Sequence, residues 1–321
     1  MLRVGIVGTN FISEWFTEAA RNTGERVEPA AVYSRSMERA EEFAARQEIA
    51  GAFDDLTAMG ADVDAVYIAS PTIAHYGQAM AAIEAGKHVL VEKTITASHD
   101  EAARLFERAE ANGVVIMEAT RHLHLPEYEL IRDAVARLGT VRYVHFEMLQ
   151  YSSRYDRFRA GEHLNAFDPT LGNSALVDIG VYCLEPVIDL FGAPRSHTGA
   201  SVRLDNGFDA SGSIQLNYGE MIADVVYSKI AQGVGPSTIV GEKGALTIDS
   251  LSEPSRVTLR DGDGEVALLD IGVRRPAETM HHELIAFADQ VERGEMNPRW
   301  KNVTLAARQI MDEHLARTAG H

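Results

Sequence analysis

The chain has 321 residues, 45% of them hydrophobic and 24% charged, a globular composition too long for one ordinary core, so two domains are expected. Forty-seven acidic against thirty basic side chains leave a net charge of −17, which argues against nucleic acid and anionic membranes as partners. No stretch reaches the apolar length of a membrane span, the first residues enter a strand pattern without a signal-peptide layout, and the single Cys183 excludes an intramolecular disulfide or a cysteine-built zinc site. A cytoplasmic protein is expected.

Arg3–Val7 reads as an apolar strand, Gly8-Thr9-Asn10-Phe11-Ile12-Ser13 as a glycine turn, and the run through Arg21 as a helix. Strand, turn and helix are the setting of a dinucleotide fingerprint, but its second and third glycines are replaced by Asn10 and Ser13. Asn tolerates left-handed backbone angles and Ser is small enough for close helix–strand packing, so the turn fits a dinucleotide loop and an ordinary strand–turn–helix equally well. A second strand, Glu28–Tyr33, closes at Ser34-Arg35-Ser36. Where an acid often receives the ribose 2′-hydroxyl, Ser34 and Arg35 offer a hydroxyl and a guanidinium, with Arg39 one turn further on. That set suits a 2′-phosphate and leans toward NADP over NAD; a solvated arginine at a helix start is the alternative.

After a helix over Met37–Arg46, the strand Asp64–Ala69 stops at Ser70-Pro71-Thr72, and a helix from about Ala74 to Ala85 ends at Gly86. His75, in its first turn, either faces a cofactor or packs. Val89-Leu90-Val91-Glu92-Lys93-Thr94 is a buried strand that runs into a charged pair at its carboxyl end, the edge where open parallel sheets bind ligands. A lysine there can be desolvated and serve as a proton donor or acceptor near neutral pH; a solvated Glu–Lys pair is the plainer reading. Ser98-x-x-Glu101 is a capping box that opens the next helix, and Val114–Glu118 is a further strand. The alternation predicts a doubly wound parallel sheet over residues 1–120.

The rhythm changes after Arg121 and Pro126. A helix over Glu127–Leu138 leads to a long strand, Val141–Met148, and from about His197 strands recur at short spacing: Ser213–Tyr218, Met221–Tyr227, Ser237–Val240, Ala245–Ile248 and Val257–Leu259. Glycine turns separate them, which predicts an antiparallel meander in a second, α+β domain over residues 121–321. One face of this open sheet needs helices and the other water or a second subunit, so a homo-oligomer, dimer or tetramer, is expected through that face. Ala175–Leu184 reads as a helix within which Asp178 and Tyr182, four apart, share one face; the alternative is a structural Asp and a half-buried Tyr. His122 and His124, and His281-His282-Glu283, lack the spacing of metal ligands, so no metal is expected. Arg154-Tyr155-Asp156-Arg157 reads as a loop, and Val303–Leu315 as an amphipathic packing helix.

Taken together, Gly8-Thr9-x-x-Ile12, Ser70-Pro71-Thr72-x-x-His75, Gly86–Lys93, Glu118-x-x-Arg121 and Ala175-Leu176-x-Asp178-Ile179-Gly180-x-Tyr182 resemble the Gfo/Idh/MocA oxidoreductases over nearly the whole chain. The tyrosine version resembles the branch containing dimeric dihydrodiol dehydrogenase, NADP-dependent xylose dehydrogenase and glucose-fructose oxidoreductase. The resemblance implies an N-terminal Rossmann domain lined toward the cofactor by Gly8, Thr9, Asn10, Phe11, Ile12, Ser34, Arg35, Arg39, Ser70, Pro71, Thr72, His75, Glu92, Lys93 and Arg121. It also implies catalytic roles for Lys93, Asp178 and Tyr182. Thr94 departs from the proline that usually follows the Glu–Lys pair, and Gly172-Asn173-Ser174 from a run of glycines.

The expected function is hydride transfer between NADP(H) and a carbinol or carbonyl carbon of a sugar, polyol or diol, a small-molecule substrate. Lys93 and Tyr182 would manage the hydroxyl proton, in an order the sequence leaves open, and Asp178 would orient the substrate hydroxyl or the base. Two rival readings remain: a nucleotide-sensing regulator that keeps the fold without the chemistry, and an enzyme that recycles a tightly held nicotinamide.

Overall fold

Short apolar runs alternating with helix-length segments build β1 (Leu2–Val7), α1 (Phe11–Ala20), β2 (Val27–Tyr33), α2 (Met37–Gln47), β3 (Gly51–Phe53), α3 (Leu56–Ala61), β4 (Ala65–Ile68), α4 (Thr72–Glu84), β5 (His88–Glu92), α5 (His99–Asn112) and β6 (Ile116–Ala119). The computed structural model, which describes residues 1–319, joins these six strands in one parallel sheet of order β3-β2-β1-β4-β5-β6. Connections leaving β1 on either side diverge, so the crevice beside its carboxyl end is a topological switch point. β3, three residues paired with Ala31–Tyr33, and α3 were not foreseen, being too short for a periodic signal. Ser98 caps α5 through the Glu101 N–H, and Gly113 ends it at φ 67°.

Further along the chain come α6 (Pro126–Val135), β7 (Val141–Leu149), α7 (Tyr155–Arg159), a π-helical turn (Leu176–Gly180), α8 (Val181–Phe191), β8 (Ser196–Arg203), β9 (Asp209–Asn217), β10 (Ile222–Ser228), β11 (Ser237–Gly241), β12 (Gly244–Ile248), β13 (Arg256–Asp261), β14 (Gly264–Asp270), α9 (Pro276–Thr279), α10 (His281–Arg293) and α11 (Pro298–Thr318). The eight strands form a second sheet of order β14-β13-β12-β11-β7-β10-β9-β8. It is mostly antiparallel but is not the expected simple meander, because β7 lies between β11 and β10 and pairs with β10 in parallel. Parallel pairing needs a long crossover, and the helical stretch between β7 and β8 supplies it. Arg154-Tyr155-Asp156-Arg157, expected as loop, instead cap and open the short α7.

The chain partitions into two units, Met1–His124 with Arg275–Asn302, and Leu125–Arg274 with the segment from Val303 on. Measured against a division at residue 120, the difference is that Arg275–Asn302 belongs with the first sheet. The cause is burial: Leu284, Phe287 and Ala288 of α10 share one core with Val4, Phe16, Val32 and Tyr67. In the second unit Val144, Phe146, Ile214, Leu216, Val225 and Ile239 alternate with exposed or half-buried neighbours, which leaves the other face of the sheet more open. No helix among the described residues is long and apolar enough to cross a membrane.

Candidate active-site groups

Five loops of the first unit leave the carboxyl ends of β1, β2, β4, β5 and β6, and they carry most of the expected cofactor residues. Gly8 has φ +116°, and a Cβ there would stand 3.0 Å from the Ala69 carbonyl oxygen, so both backbone angle and space call for glycine. Asn10 corrects the sequence reading: at φ −96° and ψ −179° it is extended, not left-handed. It is the N-cap of α1, accepting from the Ile12 and Ser13 N–H groups at 3.0 and 3.3 Å and donating to the Ala69 carbonyl at 2.7 Å. One amide thus caps the helix and ties its start to the end of β4. Thr9 and Ile12 are half-buried, Ser13 is buried, and Phe11 is 54% exposed against the edge of Trp15.

After β2, Ser36 caps α2 by accepting from Arg39 N–H at 3.4 Å, Ser34 is half-buried, and the Arg35 and Arg39 side chains are exposed. After β4, the Ser70 hydroxyl donates to Gln78 at 2.6 Å, Pro71 is exposed at the N-cap of α4, and Thr72 is buried. His75 is 1% exposed, with Nε2 2.7 Å from the Ser70 carbonyl and Nδ1 3.1 Å from that of Thr94. Burial holds its pKa below the usual histidine range. His75 therefore braces the loops after β4 and β5, in keeping with the packing alternative of its sequence reading.

Lys93 is half-buried directly after β5, and the Lys93–Thr94 peptide is cis. Its partner in sequence turns inward: the Tyr67 hydroxyl donates to Glu92 Oε1 at 2.5 Å, and Tyr67 stacks on Phe16 with ring centroids 4.2 Å apart. Burial raises the Glu92 pKa, against the pull of Tyr67 and of the Lys93 and Arg121 charges. Glu283 of α10 is 1% exposed, and burial, followed by the Glu92 charge, holds it well above the usual carboxylate range. Arg121, whose Nη1 donates to Thr279 at 3.0 Å, opposes that rise. Glu92 and Arg121, both half-buried, join this polar cluster, which supplies interior partners for a carboxyl at the end of a central strand. The Glu118 carboxylate accepts from Ile95 N–H at 2.7 Å and pins the same loop.

In the second unit the motif helix starts where the Ser174 hydroxyl accepts from Val177 N–H at 3.0 Å and Asp209 from Leu176 N–H at 3.3 Å. It begins as a π-turn, the Val181 N–H reaching back to the Leu176 carbonyl, so its faces are not those of the regular α-helix expected from the spacing. Gly180 of the motif is required by packing: a Cβ would meet Leu176 Cδ1 at 2.8 Å and the Tyr227 ring at 3.2 Å. Asp178 and Tyr182 are both half-buried. The carboxylate of Asp178 accepts from Lys229 Nζ at 2.7 Å and lines a cavity of about 130 Å³ with Gln150, Ser152, Ser153, Arg154, Ala166, Ile179 and Lys229. Sequence reasoning missed Lys229. The signal was a lysine one intervening residue beyond the strand Met221–Tyr227, a pattern close to the one that singled out Lys93.

Residues 2–120 match the model of the oxidoreductase family with an NAD-binding Rossmann fold, and residues 128–247 that of the GFO/IDH/MocA C-terminal domain. The chain is 40% identical over 317 residues to the scyllo-inositol 2-dehydrogenase (NADP(+)) IolU of Bacillus subtilis (strain 168), covering 98% of this chain and 96% of that protein. The chain belongs to the Gfo/Idh/MocA oxidoreductases. Another relative of this Gfo/Idh/MocA chain, 30% identical over 91% of it and 89% of the other, is D-xylose 1-dehydrogenase (NADP(+)) 2 of Haloferax volcanii. The crystal structure of KijD10, a 3-ketoreductase from Actinomadura kijaniata in complex with NADP and TDP-benzene, shares the fold with TM-score 0.83 at 24% identity, covering 98% and 97% of the two chains.

Proposed function

We propose that this Gfo/Idh/MocA oxidoreductase is an NADP(H)-dependent dehydrogenase of a polyol or sugar, with scyllo-inositol the first substrate to try in view of the 40% identical relative. The carrying observation is the carboxyl edge of the first sheet, where the Gly8 cradle follows β1 at the switch point and Lys93 follows β5, with only β4 between the two strands. The residues fit a dinucleotide: Gly8 leaves room for close backbone approach, the N-terminus of α1 favours a phosphate, and exposed Arg35 and Arg39 suit a 2′-phosphate. Ser34 would add a hydroxyl there, with Thr9, Phe11, Ile12, Ser70, Pro71 and Thr72 along the same edge.

The bound nicotinamide supplies the hydride acceptor or donor. Lys93 and Tyr182 take the proton of the reacting hydroxyl in the oxidation direction, and Asp178 accepts a hydrogen bond from a neighbouring substrate hydroxyl to orient the substrate. The first unit serves the cofactor; the second serves the substrate and self-association. The protein works in the cytoplasm as a dimer or tetramer joined through the open sheet face, where Tyr143, Ile222 and Val240, adjacent in register, are 39%, 42% and 37% exposed.

The test is nicotinamide absorbance during incubation with NADP or NAD and a panel of inositols, aldoses and vicinal diols, with dicarbonyls in reverse. NADP-selective turnover of scyllo-inositol is expected. Turnover confined to other members would sink the substrate assignment alone, and silence across the panel with NADPH still bound would favour a sensor.

A further inference from the structure

We propose that Lys229 is a positioning residue for the reaction: a buried cation that clamps Asp178 in its ionised form and fixed orientation, so that the cavity beside it recognises a substrate hydroxyl as donor. The proposal rests on the reading of Asp178 as the substrate-orienting group.

The geometry is asymmetric. The Lys229 side chain is 7% exposed, whereas that of Asp178 is 40% exposed and lines the cavity. Nζ is held from several directions: it donates to Asp178 Oδ2 at 2.7 Å and to the Ala166 carbonyl at 2.9 Å, and lies 5.0 Å and 5.5 Å from the ring centroids of Phe167 and Phe208. The Lys229 backbone N–H is fixed as well, donating to the Ala210 carbonyl at 2.9 Å. A cation so enclosed reaches Asp178 from a fixed position.

An ammonium at this distance favours the charged carboxylate, which is an acceptor only. A hydroxyl facing Asp178 is then oriented with its hydrogen toward the acid, whereas an ether or carbonyl oxygen at that place meets like polarity. The clamp thus places hydroxyl-bearing carbons, the class polyols offer, ahead of deoxy, O-alkyl or keto centres at the same position.

The experiment compares Lys229→Met, Lys229→Arg, Asp178→Asn and the double variant Lys229→Met with Asp178→Asn, each checked by circular dichroism melting and by NADPH fluorescence titration. Turnover is followed with NADP and scyllo-inositol, the slow variants as single turnovers over hours at enzyme excess. Lys229→Met should lower kcat about 100-fold while NADPH affinity stays within about twofold, and Lys229→Arg should recover part of that loss. In the Asp178→Asn background Lys229→Met should change kcat by less than about threefold, because its effect passes through that carboxylate. Wild-type kcat in Lys229→Met, or a full additional loss in the double variant, would overturn the proposal. If Lys229→Met melts early, Lys229→Gln, which keeps a donor for the Ala166 carbonyl without the charge, carries the same comparison. If the wild type leaves scyllo-inositol untouched but turns over another panel member, the substrate reading fails and the variants are compared on that member.

Discussion

Lys93 and Lys229 each follow directly on a β-strand, and the two units surround them differently. Lys93 leaves a central parallel strand as a half-buried residue, while its sequence neighbour Glu92 turns inward to Tyr67. Lys229 leaves β10 to be enclosed by aromatic rings, with its charge committed to Asp178. A lysine at a strand end is thus an amine with a location, and its neighbours decide how enclosed it is and what it holds.

The largest effect that would break this contrast is loss of the Lys93 amine. Lys93→Met should lower kcat by about 10³-fold with NADPH affinity within about threefold, measured by absorbance and fluorescence titration. An equal loss in Lys229→Met would erase the difference in role between the two lysines. Next in size, Arg35→Asp should raise the KM for NADP by roughly 10- to 100-fold and leave that for NAD nearly unchanged, since an acid at this position repels a 2′-phosphate; equal effects on both cofactors would remove Arg35 from the phosphate site.

Gly180→Val asks whether the second unit's clamp depends on close packing of its helix on Tyr227. Branched carbons placed where a Cβ already meets Leu176 at 2.8 Å should cost about 1–3 kcal/mol in urea unfolding. A neutral result would mean that the π-turn relaxes freely.

The smallest expected effect concerns the polar network behind that helix. His314 Nε2 lies 2.9 Å from Ser201 and 3.1 Å from Tyr227, whose hydroxyl donates to Asp209 at 3.1 Å. Burial pushes His314 down to about 4, helped by the His197, Arg317 and Arg203 charges. The unfolded chain therefore takes up this proton first, and the contribution of His314, complete above its ordinary pKa near 6.5, is lost as pH falls from there toward 4. The melting temperature of the second unit should drop over that window by roughly a few degrees, and less steeply in His314→Gln. Identical slopes in the two proteins would remove His314 from the account.

Much of the first unit was legible because its signals are local. Apolar run, turn and helix repeat along the chain, and the residues at strand ends occupy the sheet's carboxyl edge whatever the details of packing. Gly8, Ser34, Arg35 and Lys93 were placed at that edge in this way. Local signals carry no side-chain partners: Glu92, Arg121 and His75 lie at the expected strand ends and helix start, and each also bonds within the unit.

By itself the sequence determined the two-part organisation, the parallel sheet, the acid–tyrosine helix and the chemistry its residue types can support, because periodicity and turn chemistry act over a few residues. Tertiary structure alone decided that β7 inserts beside β10, that α10 joins the first core, that Glu283 stands against Glu92, and that Lys229 meets Asp178 from 51 positions away. Burial and electrostatic pairing depend on which surfaces meet, and that is fixed when the elements pack.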